Sequence, residues 1–327
     1  LRQRYKKKWV LRTLFLNNLI IFFIIRQIKR NFATEIEYTL ESVPNKMKVV
    51  HTTNDLQNLL QKARNEGKSV GLIPTMGALH AGHASLVTRA AKENDVTVVS
   101  IFVNPTQFND LNDLQKYPRT LEADCQLLEC AGANIAFAPS VEEVYPEPDT
   151  RQFSFAPLDT VMEGPRRPGH FNGVAQIVSR LFDLVNPDRA YFGEKDFQQL
   201  AIIREMVHQL HLPLEIVGCP IVREADGLAL SSRNALLSSS ERTQALAISQ
   251  TLFASLNYAE KHSLVQTKEY VEQCIAQAPG LTLEYFEIVN ALSMQRISEW
   301  TETAKIQGCI TVHCGSVRLI DNIAYKA

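Results

Sequence analysis

What the sequence lacks narrows it first. None of its six cysteines stands in a Cys-x-x-Cys pair, so nothing supports a closed structural zinc site. A chain of this length does not need disulfide staples, and its cysteines are those of a reduced, cytosolic protein. There is no excess of positive charge: 34 Lys and Arg face 35 Asp and Glu, which gives no overall field for nucleic acid. Glycine and proline, 14 each, are too few for a low-complexity chain. The apolar run Leu14 to Ile25 is interrupted by Asn17 and Asn18, whereas a membrane span wants about 20 apolar residues. No internal repeat and no long linker stand out. What is present is the balance of a soluble globular chain, 45% hydrophobic and 21% charged, and 327 residues suggest about two domains.

The near-neutral total hides an asymmetry. Residues 1–30 hold nine Lys or Arg and no acid, so the remainder carries 25 basic against 35 acidic residues. A basic start before a short apolar run loosely fits a signal peptide or an anchor, but no small-residue cleavage site follows promptly. We take residues 1–46 as an extension outside the working protein, as a misplaced start codon would produce. Met47 then opens Met-Lys-Val-Val, a plausible first strand.

From Met47 the pattern alternates. Thr53–Asn65, His83–Glu93, Leu121–Cys130, Phe171–Leu184 and Phe197–Leu210 have helical character. Ser69–Ile73, Val96–Val103, Ile135–Ala138, Arg189–Phe192 and Leu214–Val222 have strand character. The near-continuous apolar run from Val96 belongs in a parallel sheet covered on both faces. The expected fold is α/β, a doubly wound parallel sheet over residues 47–222. Near Arg223 the texture changes. Ser238-Ser239-Ser240-Glu241 should cap one long helix through Tyr258. Val265–Ala276 should be a helix, and Leu281–Val289 and Cys309–Ile320 half-exposed strands. Residues 223–327 therefore form a smaller α+β domain.

Five clusters could carry chemistry. Pro74-Thr75-Met76-Gly77-Ala78-Leu79-His80-Ala81-Gly82-His83 lies between a strand and a helix, at the carboxyl edge where doubly wound sheets bind ligands. Gly77 and Gly82 allow close backbone approach, the helix start favours anions, and His80 and His83 can donate to phosphate oxygens. It is neither a phosphate loop with Gly-Lys nor a dinucleotide fingerprint. A metal pair or two surface histidines are the plainer alternatives. Phe102-Val103-Asn104-Pro105-Thr106-Gln107-Phe108 offers amides for hydroxyl and carboxylate recognition, or else merely a capped turn. Gly164-Pro165-Arg166-Arg167-Pro168-Gly169-His170-Phe171-Asn172-Gly173-Val174 sets two arginines and a histidine before a helix, either as a triphosphate site or as a proline-rich loop or lid. Tyr191-Phe192-Gly193-Glu194-Lys195-Asp196-Phe197-Gln198-Gln199 puts a cation at a helix start, which is locally unfavourable unless an anion sits there. Gln199 can share the face of Lys195 and Asp196. Leu230-Ser231-Ser232-Arg233-Asn234 could grip outer phosphates, or be a polar linker.

In this order and at these separations, the clusters resemble the pantoate–β-alanine ligase family, from about Met47 to the end. His80-x-x-His83 alone resembles the wider nucleotidyltransferase superfamily. The Phe-Val-Asn-Pro-Thr-Gln-Phe, Arg-Pro-Gly-His-Phe and Gly-Glu-Lys-Asp-Phe-Gln-Gln segments narrow it. The resemblance implies a Rossmann-like catalytic domain and a C-terminal lid. It implies condensation of pantoate with β-alanine, using ATP, through a pantoyl adenylate, with release of AMP and pyrophosphate. It also implies Mg2+, a homodimer and the cytoplasm, with no nucleic-acid partner and no membrane contact beyond what the extension could supply. His80, His83, Lys195, Arg233 and His170 would be catalytic, with His170 facing the reaction centre. Met76, Gly193, Asp196, Ser231 and Ser232 would join His80, His83, Lys195 and Arg233 around ATP, with Asp196 and Gly193 at the ribose. Met76, Asn104, Gln107 and Gln199 would hold pantoate. No metal ligand is assigned. A nucleotidyltransferase acting on another phosphorylated small molecule, and a nucleotide-binding regulatory module, are the alternatives.

Overall fold

Strands β1 (Lys48–Val50), β2 (Val70–Thr75), β3 (Val96–Ile101), β4 (Ile135–Phe137), β5 (Arg189–Gly193) and β6 (Glu215–Cys219) form one all-parallel sheet in the order β1-β4-β3-β2-β5-β6. This is a computed structural model, and it describes residues 46–108 and 111–326. The reading of residues 1–46 as an extension therefore falls, apart from Lys46, outside the described residues. The described chain from Met47 onward is one compact unit. Among the described residues no helix is long and apolar enough to cross a membrane.

The sheet is buried on both faces because successive side chains point to opposite sides. Leu72, Val98 and Phe137 join a core with Leu56 and Leu60 of helix α1 (Thr53–Asn65). Ile73, Val99 and Ala136 join a second core with Val87 and Ala90 of α2 (Ala81–Glu93) and Leu128 of α4 (Leu121–Ala131). Between α2 and α4 lies the short α3 (Leu111–Lys116), and after β4 come two helical turns, α5 (Val141–Val144) and α6 (Glu163–Arg166). Helix α7 (His170–Val185) is buried nearly all round, and α8 (Phe197–Gln209) packs beside it on the first core. Strand β6 stops short of the expected Val222 because Pro220 has no N–H for the ladder.

The strand order sets the position of the site. From β2 the chain steps outward to β3 and β4; from β5 it steps the other way to β6. The direction reverses between β2 and β5, which are direct neighbours. At such a switch point the carboxyl ends of the two strands flank an open crevice.

The C-terminal part is a three-stranded antiparallel sheet, β7 (Leu281–Asn290), β8 (Ile306–Cys314) and β9 (Val317–Lys326). Helices α9 (Ser239–Gln244), α10 (Leu246–Ala259) and α11 (Leu264–Gln277) belong to the same part. Ser238 and Glu241 form the expected reciprocal capping box. The single helix expected through Tyr258 is instead two: at buried Ala245 the backbone tightens, and its carbonyl takes the Ile248 N–H. Cys309–Ile320 is not one strand but a hairpin turning at Gly315, whose φ of 56° suits glycine. Nor is β8 half-exposed. One face, Ile306, Ile310 and Val312, packs on the helices. On the other, Cys309 packs with Tyr285 and Met162 against the N-terminal part. Alternation read from sequence cannot tell water from a second packing partner.

Candidate active site

The loop leaving β2 is built around a buried carboxylate. Asp124 of α4 is 2% exposed. Its Oδ2 accepts the Ala78 N–H at 3.0 Å and its Oδ1 the Leu79 N–H at 2.8 Å. Thr120 Oγ1 donates to it as well, at 3.1 Å. Wrapping the chain this tightly needs left-handed backbone at Gly77 (φ 82°) and Ala78 (φ 50°). A Cβ on Gly77 would stand 3.0 Å from the Asp124 Oδ2, so glycine belongs there on steric grounds too.

The two histidines then start α2 in a way that fixes their protons. His80 is the N-cap: its Nδ1 accepts the Gly82 N–H at 3.1 Å. His83 Nδ1 in turn accepts the His80 N–H at 3.3 Å, completing a capping box made of two imidazoles. An Nδ1 that accepts carries no proton, so each ring holds its proton on Nε2 and offers that N–H as a donor. Burial and the Lys195 charge push His80 down to about 4. Burial, then His80 and Lys195, push His83 down to about 3. Both rings are therefore neutral donors at neutral pH, with centroids 4.1 Å apart.

At the end of β3, Asn104 is the N-cap of the 3-10 turn Pro105–Gln107. It is 1% exposed, and its side chain is fully engaged inside the protein. Its Nδ2 donates to Gln107 Oε1 at 3.2 Å and to Gly173 O at 3.1 Å. Its Oδ1 accepts from Thr106 and from Tyr145 Oη at 3.1 Å. Gln107 Nε2 points to Met76 Sδ at 3.2 Å. His170, the first residue of α7, has both ring nitrogens occupied: Nδ1 donates to Gln107 O at 3.0 Å and Nε2 accepts from Arg167 Nη1 at 2.9 Å. Burial and Arg167 lower it to about 4, so it too is neutral.

After β5 the 3-10 turn Glu194–Asp196 presents Lys195, with α8 and Gln199 behind it. Asn322 of β9 clamps that turn, its Nδ2 donating to the carbonyls of Glu194 and Lys195 at 2.9 Å each. Among the described residues the Lys195 ammonium has no hydrogen bond or ion pair, and Lys195 borders the cleft. Ser232 Oγ donates to Ala78 O at 3.0 Å, tying the C-terminal segment to the β2 loop. Ser231 Oγ accepts the Arg233 N–H at 3.3 Å.

Two adjoining cavities, of about 610 and 230 Å3, gather these groups. Met76, Gln107, Lys195, Asp196, Gln199, Ser231 and Arg233 line both. His170 borders the larger; His80, His83, Gly193 and Ser232 border the smaller. Asn104 borders neither and lies behind Gln107. Asp124, Asn322 and Glu163 are not legible in the sequence as site residues. An acid inside the amphipathic α4 was the one available signal, and it named no partner.

The cleft thus offers two neutral N–H donors, a cation at a helix start, an arginine and serines opposite, and amides beside a methionine wall. Such a set can bind a polyphosphate and a small polar acid together. A family model described as pantoate-beta-alanine ligase matches residues 48–324. A pantothenate synthetase of Bacteroides fragilis is 70% identical over 280 residues, covering 86% of this chain and 99% of that protein. One of Porphyromonas gingivalis is 56% identical, covering 86% and 100%. The crystal structure of pantothenate synthetase from Thermus thermophilus superposes with a TM-score of 0.81 at 44% identity, covering 86% of this chain and all of that one. That of pantoate-beta-alanine ligase from Francisella tularensis, complexed with beta-gamma ATP and beta-alanine, has a TM-score of 0.70 at 32% identity, covering 85% and 98%.

Proposed function

The chain belongs to the pantoate-beta-alanine ligase family, and on that premise we propose that the cleft between the ends of β2 and β5 is its active site. The enzyme joins pantoate to β-alanine with ATP, through a pantoyl adenylate. The carboxylate of pantoate attacks the α-phosphorus, and pyrophosphate leaves. The β-alanine amine then attacks the acyl carbon, an amide forms and AMP leaves. Activation is needed because a free carboxylate is a poor acyl donor.

The first step brings two anions together, so positioning and positive charge supply much of the catalysis. His80 and His83 donate from Nε2 to ATP phosphate oxygens, and their neutral form spares the site a second pair of buried cations. Lys195 stabilises charge at the α-phosphate. Ser231, Ser232 and Arg233 hold the outer phosphates, while Asp196 and Gly193 take the ribose. Gln107 and Gln199 hydrogen-bond pantoate against Met76. Asn104 acts on pantoate by holding the Gln107 amide, and His170 by holding its backbone.

Magnesium enters the proposal as the ion of ATP. Among the described residues no three His, Cys, Asp or Glu side chains converge as a metal cage. That donor set fits an ion carried mainly by phosphate oxygens and water. Bound there, it would screen phosphate charge. We further propose that residues 223–327 act as a lid shielding the anhydride from water, which the Ser232–Ala78 and Asn322–Lys195 contacts support. Family membership supports a homodimer in the cytoplasm.

The observation that carries the assignment is the meeting of two neutral Nε2–H donors with Lys195 at the switch point. Exchange of labelled pyrophosphate into ATP tests it. Exchange should require pantoate and Mg2+ but not β-alanine. A strict requirement for β-alanine would sink the two-step route, and exchange driven by another phosphorylated substrate would favour a nucleotidyltransferase.

A further inference from the structure

Glu163 of α6 is a carboxylate buried at the seam between the C-terminal sheet and the cleft, 8% exposed. Its Oε1 accepts from Tyr285 Oη at 2.7 Å, from Thr311 Oγ1 at 3.3 Å and from Arg318 Nη2 at 2.8 Å; its Oε2 accepts from Arg318 Nη1 at 2.9 Å. Burial raises its carboxyl, but the paired bonds from Arg318 outweigh that and hold it at about 2. It is a charged anchor.

From that anchor an ion pair and two hydrogen bonds lead to the backbone of Gln107. Arg167 Nη1 lies 3.6 Å from Glu163 Oε2 and donates to His170 Nε2 at 2.9 Å. The far side of the same ring donates from Nδ1 to Gln107 O at 3.0 Å. Next to it the first turn of α7 presses on the Gln107 backbone. A Cβ on Gly173 would stand 2.8 Å from Gln107 Cα and 2.4 Å from Thr106 O. Gln107 is thus fixed by α7, and the orientation of His170 at the head of α7 depends on Arg167. Arg167 sits against other cations, Arg318 and Arg233; of the two carboxylates that offset them, Glu163 and Asp196, Glu163 acts the more strongly.

We propose that Glu163 is a positioning residue for pantoate, acting through Arg167 and His170 on Gln107. This rests on the assignment of Gln107 to pantoate. Plain adhesion of α6 to the C-terminal sheet is the competing role, and it would affect stability without favouring one substrate.

The test is a double-mutant cycle on the full chain, with Glu163→Gln, Gln107→Ala and both. Glu163→Gln keeps the shape and removes the charge. It should raise the KM for pantoate about tenfold, the scale of one hydrogen bond to a charged group, and leave that for ATP within about twofold. In the Gln107→Ala background it should add nothing, because the group it positions is gone. A full additional loss there, or equal losses for both substrates, would overturn the proposal. If Gln107→Ala alone leaves the pantoate KM unchanged, the assignment of Gln107 is what fails. Should Glu163→Gln not fold, Arg167→Lys serves the same cycle, since the shorter lysine, without a planar guanidinium, cannot reproduce the position from which Nη1 reaches both His170 and Glu163.

Discussion

Asp124 touches no proposed substrate contact, yet Asp124→Asn should damage ATP binding. The carboxylate has two oxygens, each taking one backbone N–H, from Ala78 and from Leu79. Asparagine offers one oxygen and turns its NH2 toward the other donor. One N–H is then stranded beside a second donor, which costs about 1–3 kcal/mol. Ala78, held at a φ of 50°, also loses part of what keeps it in the left-handed region. We expect about 2 kcal/mol of lost stability, seen as a fall in Tm of roughly 4–8 °C. The strained loop should relax, carrying with it His80 and the imidazole capping box. The KM for ATP should therefore rise about tenfold, as one charge-assisted hydrogen bond would dictate. The KM for pantoate should move less, because Gln107 and Gln199 stand on other elements. Differential scanning fluorimetry and separate titrations of the two substrates measure both effects. A Tm within a degree of the parent together with an unchanged KM for ATP would refute the reasoning, and would mean that the capping box and Ser232 hold the loop unaided.

Lys195→Ala should slow single-turnover adenylate formation by about a hundredfold or more while barely changing pantoate affinity, the mark of a group felt mainly in the transition state; a near-normal rate would remove it from the mechanism. Gln199→Ala should weaken pantoate binding by about 1–3 kcal/mol with little effect on ATP, and equal losses by calorimetry would point to a folding defect instead. His80, His83 and His170 lie at about 4, 3 and 4 when folded, below the ordinary 6.5 of the unfolded chain. The unfolded chain thus takes up protons first, and stability should fall as pH drops from about 6.5 toward 4, with Glu163 adding its own loss from about 4.5 downward. A melting temperature that stays level between pH 7 and pH 5 would contradict those buried neutral rings.

The sequence by itself determined most of the α/β layer, because its signals are local. Thr53–Asn65 matches α1 because the start signal, the Thr52 side chain on the Asp55 N–H, and the apolar spacing of Leu56, Leu60 and Ala63 all lie within one stretch. The Val96–Ile101 run announces a central strand, since only a doubly covered strand tolerates so many apolar residues in succession. Ser238 and Glu241 are a legible cap because the two partners are three residues apart. His80 and His83 stood out as a pair for the same reason. Their tautomer did not, since it follows from which nitrogen meets which backbone N–H. Tertiary structure decided the rest. Strand order put Gly193 and Lys195 beside Met76 although more than a hundred residues separate them. It engaged the Asn104 amide, read from sequence as a pantoate contact or a turn cap, inside the protein, with Tyr145 and Gly173 as partners. It covered the second face of β8, where alternation had suggested water. Asp124, Asn322 and Glu163 take their meaning from partners remote in the chain. Polar residues are buried only where their bonds are satisfied, and the partners that satisfy them are brought together by packing, which no local pattern records.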